Sequence, residues 1–87
     1  MSVYAAEREL PGITMDQLAA AQRAAIAKSN EVTGDGTPVR YIRSMFTPGD
    51  ARCTCLFEAD TADAVREVNE RAGIPFTRIV EAYDLTP

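Results

Sequence analysis

The sequence predicts an α+β fold in which strands and helices follow the order β, α, β, β, α, β. Three features of the 87-residue chain support this order. Two segments have apolar residues at helical spacing, four have the alternation typical of strands, and a Pro-Gly-Asp link at 48–50 joins the middle strands. Because no linker or internal repeat interrupts the pattern, we expect a single domain over residues 1–87.

Both predicted helices carry end signals. Thr14 and Gln17 have the spacing of a capping box, so the first helix begins there and runs to about residue 32. Its predicted apolar stripe is narrow and rich in alanine, and comprises Met15, Leu18, Ala21, Ala25 and Ile26. The second helix is predicted to begin with Asp60 as its N-cap and to end at Gly73.

The four predicted strands occupy residues 2–9, 38–47, 51–58 and 78–84. Because the link at 48–50 is short enough for a hairpin, the two middle strands should be antiparallel neighbours. With the two helices, these strands give the ferredoxin-like βαββαβ arrangement. This is a four-stranded antiparallel sheet in the order 4-1-3-2, with both helices on one face.

Charge and composition restrict the expected partners and location. The chain has 13 acidic and 9 basic residues, a formal net charge of −4, and no cluster of Lys or Arg. We therefore expect no nucleic-acid partner and no membrane partner, since nucleic acids and anionic membranes attract basic surfaces. No signal peptide or membrane-spanning run is recognisable, so a cytoplasmic protein is expected.

Alternation along the strands assigns each side chain to one of two sheet faces. The face with fewer charges is expected to meet the helices, and it contains Tyr4, Ala6, Ile42, Ser44, Phe46, Cys53, Cys55, Phe57, Val80 and Ala82. The two cysteines of this set form a Cys-x-Cys motif. We expect them to be reduced, buried and unligated, because two thiolates rarely complete a zinc or nickel shell.

The opposite face mixes charged, aromatic and apolar residues. It supplies the candidate ligand-binding residues, which are Glu7, Tyr41, Arg43, Leu56, Glu58, Glu81 and Tyr83. Apolar residues on the same face, Met45, Leu56 and Ile79, predict a homodimer that closes an α+β barrel around a cavity for a small molecule. The alternative to a ligand-binding cavity is that this face is exposed to solvent, or that it pairs with a second subunit through salt bridges.

Four stretches resemble a family of small bacterial proteins of unknown function that includes a nickel-binding, nickel-responsive Streptomyces protein. They are ERELPG at 7–12, RYIRSMFT at 40–47, CLFEA at 55–59 and RAGIP at 71–75. The resemblance implies a ferredoxin-like subunit that dimerises, with nickel as the implied divalent metal. Family members commonly carry His at the positions of Arg43 and Val68, but this chain has no His. Because nickel favours imidazole and a cation repels it, we expect no cofactor and no metal ligand.

These observations predict a small cytoplasmic dimeric protein, similar to the nickel-responsive family, that binds a ligand or a metal in the cavity between two open sheet faces, with the lack of His arguing against the metal. The alternative is a cofactor-free enzyme of the isomerase, cyclase or monooxygenase type. In such an enzyme a Glu of this face would act as general base, and Arg43 or a Tyr hydroxyl would stabilise an enolate or oxyanion. No nucleophile triad, phosphate loop or dinucleotide fingerprint is present in the sequence. Both functions remain open at the level of sequence.

Overall fold

The computed structural model describes residues 1–87 as four strands and two helices in the predicted order. The elements are β1 (Ser2–Glu9), α1 (Met15–Gly34), β2 (Val39–Thr47), β3 (Arg52–Ala59), α2 (Ala62–Ala72) and β4 (Arg78–Ala82). All neighbouring strands are antiparallel, and their order is β2-β3-β1-β4. The predicted ferredoxin-like fold and strand order are confirmed. Neither helix is long and apolar enough to cross a membrane.

Local hydrogen bonds explain where the helices begin and end. The Thr14 hydroxyl accepts from the Gln17 amide at 3.1 Å, and the Gln17 side chain accepts from the Thr14 amide at 3.0 Å, which confirms the capping box. The N-cap of α2 is Thr61 rather than the predicted Asp60, because the Thr61 hydroxyl accepts from an amide of the first turn at 3.3 Å. Gly73 ends α2 with a φ of 68°.

A small apolar core lies between the sheet and the helices. Its 11 buried residues are Ala6, Ala25, Val32, Val39, Cys53, Cys55, Phe57, Ala59, Ala64, Val65 and Val68. Phe57 is the largest fully buried side chain, and it meets the ring of Tyr41 edge-on with 5.6 Å between centroids. The central strand β3 supplies four of these core residues, so the core depends on the face that β3 turns toward the helices.

The buried side of α1 differs from the predicted stripe. Its buried residues are Ala25, Ser29 and Val32, and the Ser29 hydroxyl donates to the Ala25 carbonyl at 2.7 Å. Met15 and Ile26, assigned to the stripe by their hydrophobicity, are exposed. A serine whose hydroxyl is satisfied by the helix backbone takes a place in the buried row, so hydrophobicity alone misplaces that row.

A β-bulge in β2 changes which residues of this strand face the helices. Tyr41 and Arg43 lie opposite consecutive residues of β3, so Ile42 is an additional residue at the bulge. Val39 is therefore buried on the helix-covered face, and Tyr41 packs against the core. The predicted placement of Val39 and Tyr41 on the open face is wrong, as is that of Ile42 in the core. Because one residue is inserted at the bulge, each residue of β2 before it faces the side of the sheet opposite to the one that regular alternation predicts.

The faces of β4 are the reverse of those predicted. Ile79 and Glu81 lie opposite inward-facing residues of β1, and Ile79 packs against the core. Val80 and Ala82 lie on the other side of the sheet. Because β4 is an edge strand, Glu81 remains exposed even on the side that carries the helices. The absence of charge is therefore a poor guide to the inward face of this strand.

Candidate functional site

The candidate site is the sheet surface that the helices do not cover, which we call the open face. Register and alternation place there Val3, Ala5, Glu7, Glu9, Arg40, Arg43, Met45, Thr47, Arg52, Thr54, Leu56, Glu58, Arg78, Val80 and Ala82. Four of the predicted site residues are in this set: Glu7, Arg43, Leu56 and Glu58. The open face therefore brings together just over half of the predicted site.

The remaining predicted site residues lie elsewhere. Tyr41 is on the helix-covered face, where its hydroxyl accepts from Gln22 Nε2 at 2.9 Å and shares a hydrogen bond with Ser44 Oγ at 2.5 Å. Glu81 projects from the helix side of the edge strand, and Tyr83 follows the end of β4 with 83% of its surface exposed. Tyr41 therefore joins α1 to the sheet, and neither Tyr41 nor Glu81 contributes to the open face.

Two carboxylates of the open face are paired with arginines that the sequence pattern did not single out. Glu7 Oε2 accepts from Arg78 Nε at 2.9 Å and lies 2.8 Å from Arg78 Nη2. Glu58 Oε1 accepts from Arg40 Nε at 3.4 Å. Both arginines are on edge strands and both glutamates are on central strands. Cross-strand ion pairs thus neutralise these carboxylates within one subunit.

Arg43 also has a partner that the sequence pattern missed. Its Nη2 donates to Asp84 Oδ2 at 2.6 Å, and the Asp84 side chain is 21% exposed. Asp84 follows β4, and β1 and β3 separate β4 from the strand that carries Arg43. The ion pair therefore crosses the open face from the strand at one edge of the sheet to the segment that follows the strand at the other edge. Asp84 lies beyond the last strand, where alternation assigns no face.

A polar cavity of about 310 Å³ lies beside the Glu7–Arg78 pair. It is lined by Glu7, Arg8, Glu9, Arg52, Cys53, Thr54, Thr77 and Arg78. Three arginines face two glutamates in this lining, so the cavity suits a small polar molecule that carries a carboxylate. A separate groove of about 330 Å³ contains Glu81 and Tyr83. Only three of the seven predicted site residues therefore line a depression of the surface, and they are divided between two depressions.

Arg8 is a buried residue of this region that the sequence analysis missed. It is only 2% exposed, and it donates from Nη2 to Asn69 Oδ1 at 2.8 Å and from Nη1 to the Pro75 carbonyl at 3.3 Å. Its Nε has no hydrogen-bond partner. The sequence did contain a signal for the burial of Arg8. Arg8 lies two residues after Ala6, so strand alternation places it on the helix-covered face. A buried guanidinium that lacks a carboxylate partner is costly to keep.

Cys53 and Cys55 lie beside Arg8. Both thiols are free and buried, with their Sγ atoms 3.8 Å apart, and the Ser44 hydroxyl donates to Cys55 Sγ at 2.9 Å. The hydrogen bond from Cys53, together with Arg8 and Ser44, lowers the pKa of the Cys55 thiol to about 6 against the opposing effect of burial. The same hydrogen bond and burial raise the pKa of the Cys53 thiol. The predicted burial of both cysteines is confirmed.

We expect both thiols of the native protein to react slowly with iodoacetamide despite the low pKa of Cys55. Burial denies the reagent access, and a thiolate reacts only where the reagent can reach it. Mass spectrometry of timed samples should show slow labelling in buffer and rapid labelling of both cysteines in denaturant. Rapid labelling of both thiols in the native protein would contradict their burial.

Comparison with known proteins identifies the family. The family model described as nickel responsive protein SCO4226-like matches residues 4–82. The crystal structure of SCO4226 from Streptomyces coelicolor A3(2) is similar, with a TM-score of 0.81 and 28% sequence identity over 98% of this chain and 100% of that chain. Among curated proteins, none matches at a significant level. The resemblance noted in the sequence is confirmed, and the chain belongs to the nickel-responsive SCO4226-like family.

Proposed function

We propose that this protein is a cytoplasmic homodimer that binds a small anionic molecule between its two open faces. The observation that carries the proposal is the open face itself, an apolar centre flanked by neutralised ion pairs and adjoining an arginine-lined cavity. Dimer formation and ligand binding are separate parts of the proposal. Each is argued from its own residues below.

The open face has the composition of a self-complementary interface. Val3 of β1 and Leu56 of β3, both half-buried, form an apolar centre on the two middle strands around the buried Ala5. The flanking ion pairs cancel their charges within one subunit, so a second copy meets no net repulsion. A two-fold axis through the centre would bring apolar surface onto apolar surface and leave a polar rim. We therefore take a second copy of this chain as the occupant of the open face.

The ligand class follows from the cavity beside Glu7. Arg52, Thr54 and Arg78 reach this cavity from the open face, so a second subunit seated on that face would cover it. Arginine donates two parallel hydrogen bonds to a carboxylate, and removal of water strengthens such bonds. A small carboxylate is therefore the expected ligand.

The residues present do not fit nickel, the metal named by the family. The structure contains no group of three or more His, Cys, Asp or Glu residues that could hold a metal ion. Arg43 is engaged with Asp84, and Val68 is fully buried in the core. Neither position offers the imidazole that nickel prefers. The proposed function therefore assigns no role to nickel in this chain.

The alternative of a cofactor-free enzyme has no specific observation in its favour. A general base must be a carboxylate or imidazole that can take a proton from the substrate. Glu7 and Glu58 are each engaged by an arginine, and Tyr41 is engaged on the other face of the sheet. Binding of a carboxylate needs a hydrogen-bond donor rather than a free base, and Arg78 keeps Nη1 outside its contacts with Glu7, so ligand binding explains the geometry better.

Two measurements test the two parts separately. Sedimentation velocity at micromolar concentration should show a dimer, and a monomer would reject the open-face interface. Succinate at millimolar concentration should raise the melting temperature, because a ligand that binds only the native state stabilises it. Arg78→Gln should remove that rise, whereas Arg23→Gln, an exposed change on α1, should retain it. A melting temperature unmoved by succinate would reject the carboxylate site and leave the dimer standing.

A further inference from the structure

Glu9 is a carboxylate of the open face that forms no ion pair within its own subunit. It lines the polar cavity beside Glu7, whose carboxylate is held by Arg78. Arg52 lies directly opposite Glu9 in the register of β1 and β3, but its ion pair is with Asp50, with 3.8 Å between Arg52 Nε and Asp50 Oδ2. The cavity that suits a carboxylate therefore also contains a free acceptor for a cationic group.

The two arginines that reach this cavity from the open face keep guanidinium nitrogens available to a ligand. Arg78 contacts Glu7 through Nε and Nη2, so its Nη1 stays outside that pair. Arg52 approaches Asp50 through Nε alone, and both of these side chains are more than half exposed. The cavity thus offers two donors for carboxylates and, in Glu9, one acceptor for an ammonium group.

The sheet register sets the spacing of these groups. Glu9 of β1 is opposite Arg52 of β3, and Arg78 of β4 is opposite Glu7, two residues earlier in β1. With strands about 4.8 Å apart and a rise of about 3.3 Å per residue, the Cα atoms of Arg52 and Arg78 are about 12 Å apart. Two arginine side chains that lean toward each other across β1 leave room between them for a short dicarboxylate. Because Glu9 lies on β1, an ammonium group between the two carboxylates would meet it.

Charge favours an ammonium group on that dicarboxylate. The cavity lining contains three arginines and two glutamates, which gives a net charge of +1. A plain dicarboxylate with two negative charges would leave a net charge of −1, whereas a dicarboxylate with one ammonium group would leave none. The difference matters because a second subunit seated on the open face would cover the cavity, and an uncompensated charge is costly away from water.

From these contacts we propose that the ligand of this cavity is an acidic amino acid, a short dicarboxylate that carries one ammonium group. Arg52 and Arg78 each donate to one carboxylate, and the ammonium group donates to Glu9. The inference rests on the proposed carboxylate site and names the class of ligand that this site takes. L-Aspartate is the four-carbon member of the class, and succinate is the same molecule without the ammonium group.

Isothermal titration calorimetry of the full chain with L-aspartate and with succinate tests the ligand class. We expect the parent protein to bind L-aspartate about 10-fold more tightly than succinate, because only L-aspartate forms the charge-assisted hydrogen bond to Glu9. Succinate binding that equals or exceeds L-aspartate binding would overturn the inference and leave the carboxylate site standing. Binding of neither molecule would reject the carboxylate site as well.

Replacing Glu9 with Gln separates the ammonium contact from the carboxylate contacts. Glu9→Gln should lower the affinity for L-aspartate by about 10-fold and should not lower that for succinate, since it removes a negative charge and no arginine. Arg52→Gln should weaken the binding of both molecules. Glu70→Gln, the same exchange as Glu9→Gln at an exposed position of α2, should keep the preference for L-aspartate. A preference that persists in Glu9→Gln would overturn the inference.

Discussion

Replacing Asn69 with Leu should lower the free energy of unfolding by about 3 kcal/mol, because it leaves the buried Arg8 cation without its main hydrogen-bond partner. Asn69 is fully buried, and its Oδ1 accepts from Arg8 at 2.8 Å. After the change, Arg8 would keep only the longer bond to the Pro75 carbonyl. Urea denaturation followed by circular dichroism measures the difference. Asn30→Leu, the same exchange at an exposed position of α1, should change stability little.

A double-mutant cycle shows whether the cost comes from Arg8 itself. In the Arg8→Met/Asn69→Leu variant, two apolar side chains replace the polar pair and no buried charge remains. Such replacements are often neutral or stabilising relative to the pair, so the double variant should be more stable than Asn69→Leu alone. If the costs of the two single changes simply add, the two side chains are not coupled and the assigned role of Asn69 is wrong.

Replacing Leu56 with Arg should weaken the proposed dimer by about 100-fold or more, which corresponds to at least about 2.7 kcal/mol. Leu56 is half-buried at the centre of the open face and lies opposite Arg43 in the sheet register. A second guanidinium there would repel Arg43 and its symmetry mates, and the carboxylates of the ion pairs on this face are already engaged by arginines. Sedimentation velocity over a range of concentrations measures the shift from dimer to monomer.

The matched control places the same charge on the other side of the molecule. Ile26 is 42% exposed on α1, so Ile26→Arg adds a cation without touching the open face. This variant should remain dimeric, and both variants should retain the circular dichroism spectrum of the folded parent. A dimer that persists in Leu56→Arg at low micromolar concentration would show that the open face is not the interface.

Sequence alone determined the order of the elements and most of their ends. These features depend on contacts within a few residues of each other. The capping box of Thr14 and Gln17 closes within one helical turn, and Gly73 ends α2 by its own backbone conformation. The Pro-Gly-Asp link similarly joins β2 and β3 as a hairpin. Helix ends and hairpin links of this kind can be predicted without knowledge of the contacts that the rest of the chain makes.

The tertiary structure decided which way several of the predicted site residues face. The bulge at Ile42 moves Tyr41 onto the helix-covered face, and strand pairing turns Ile79 of β4 inward in place of its neighbour Val80. Alternation predicts a face only while the register is regular, and a single inserted residue reverses it. At the edge strand, incomplete coverage also lets Glu81 occupy the helix side without losing water.

The tertiary structure also decided the partners of the charged groups. Arg43 meets Asp84 and Glu7 meets Arg78 across 41 and 71 positions of the chain, respectively. Sequence patterns supply these residue types but not their pairing, because each ion pair forms only after the sheet has brought its strands together. Arg8 shows the same limit for a buried group: alternation places it inward, but only the packing of α2 supplies Asn69 as its acceptor.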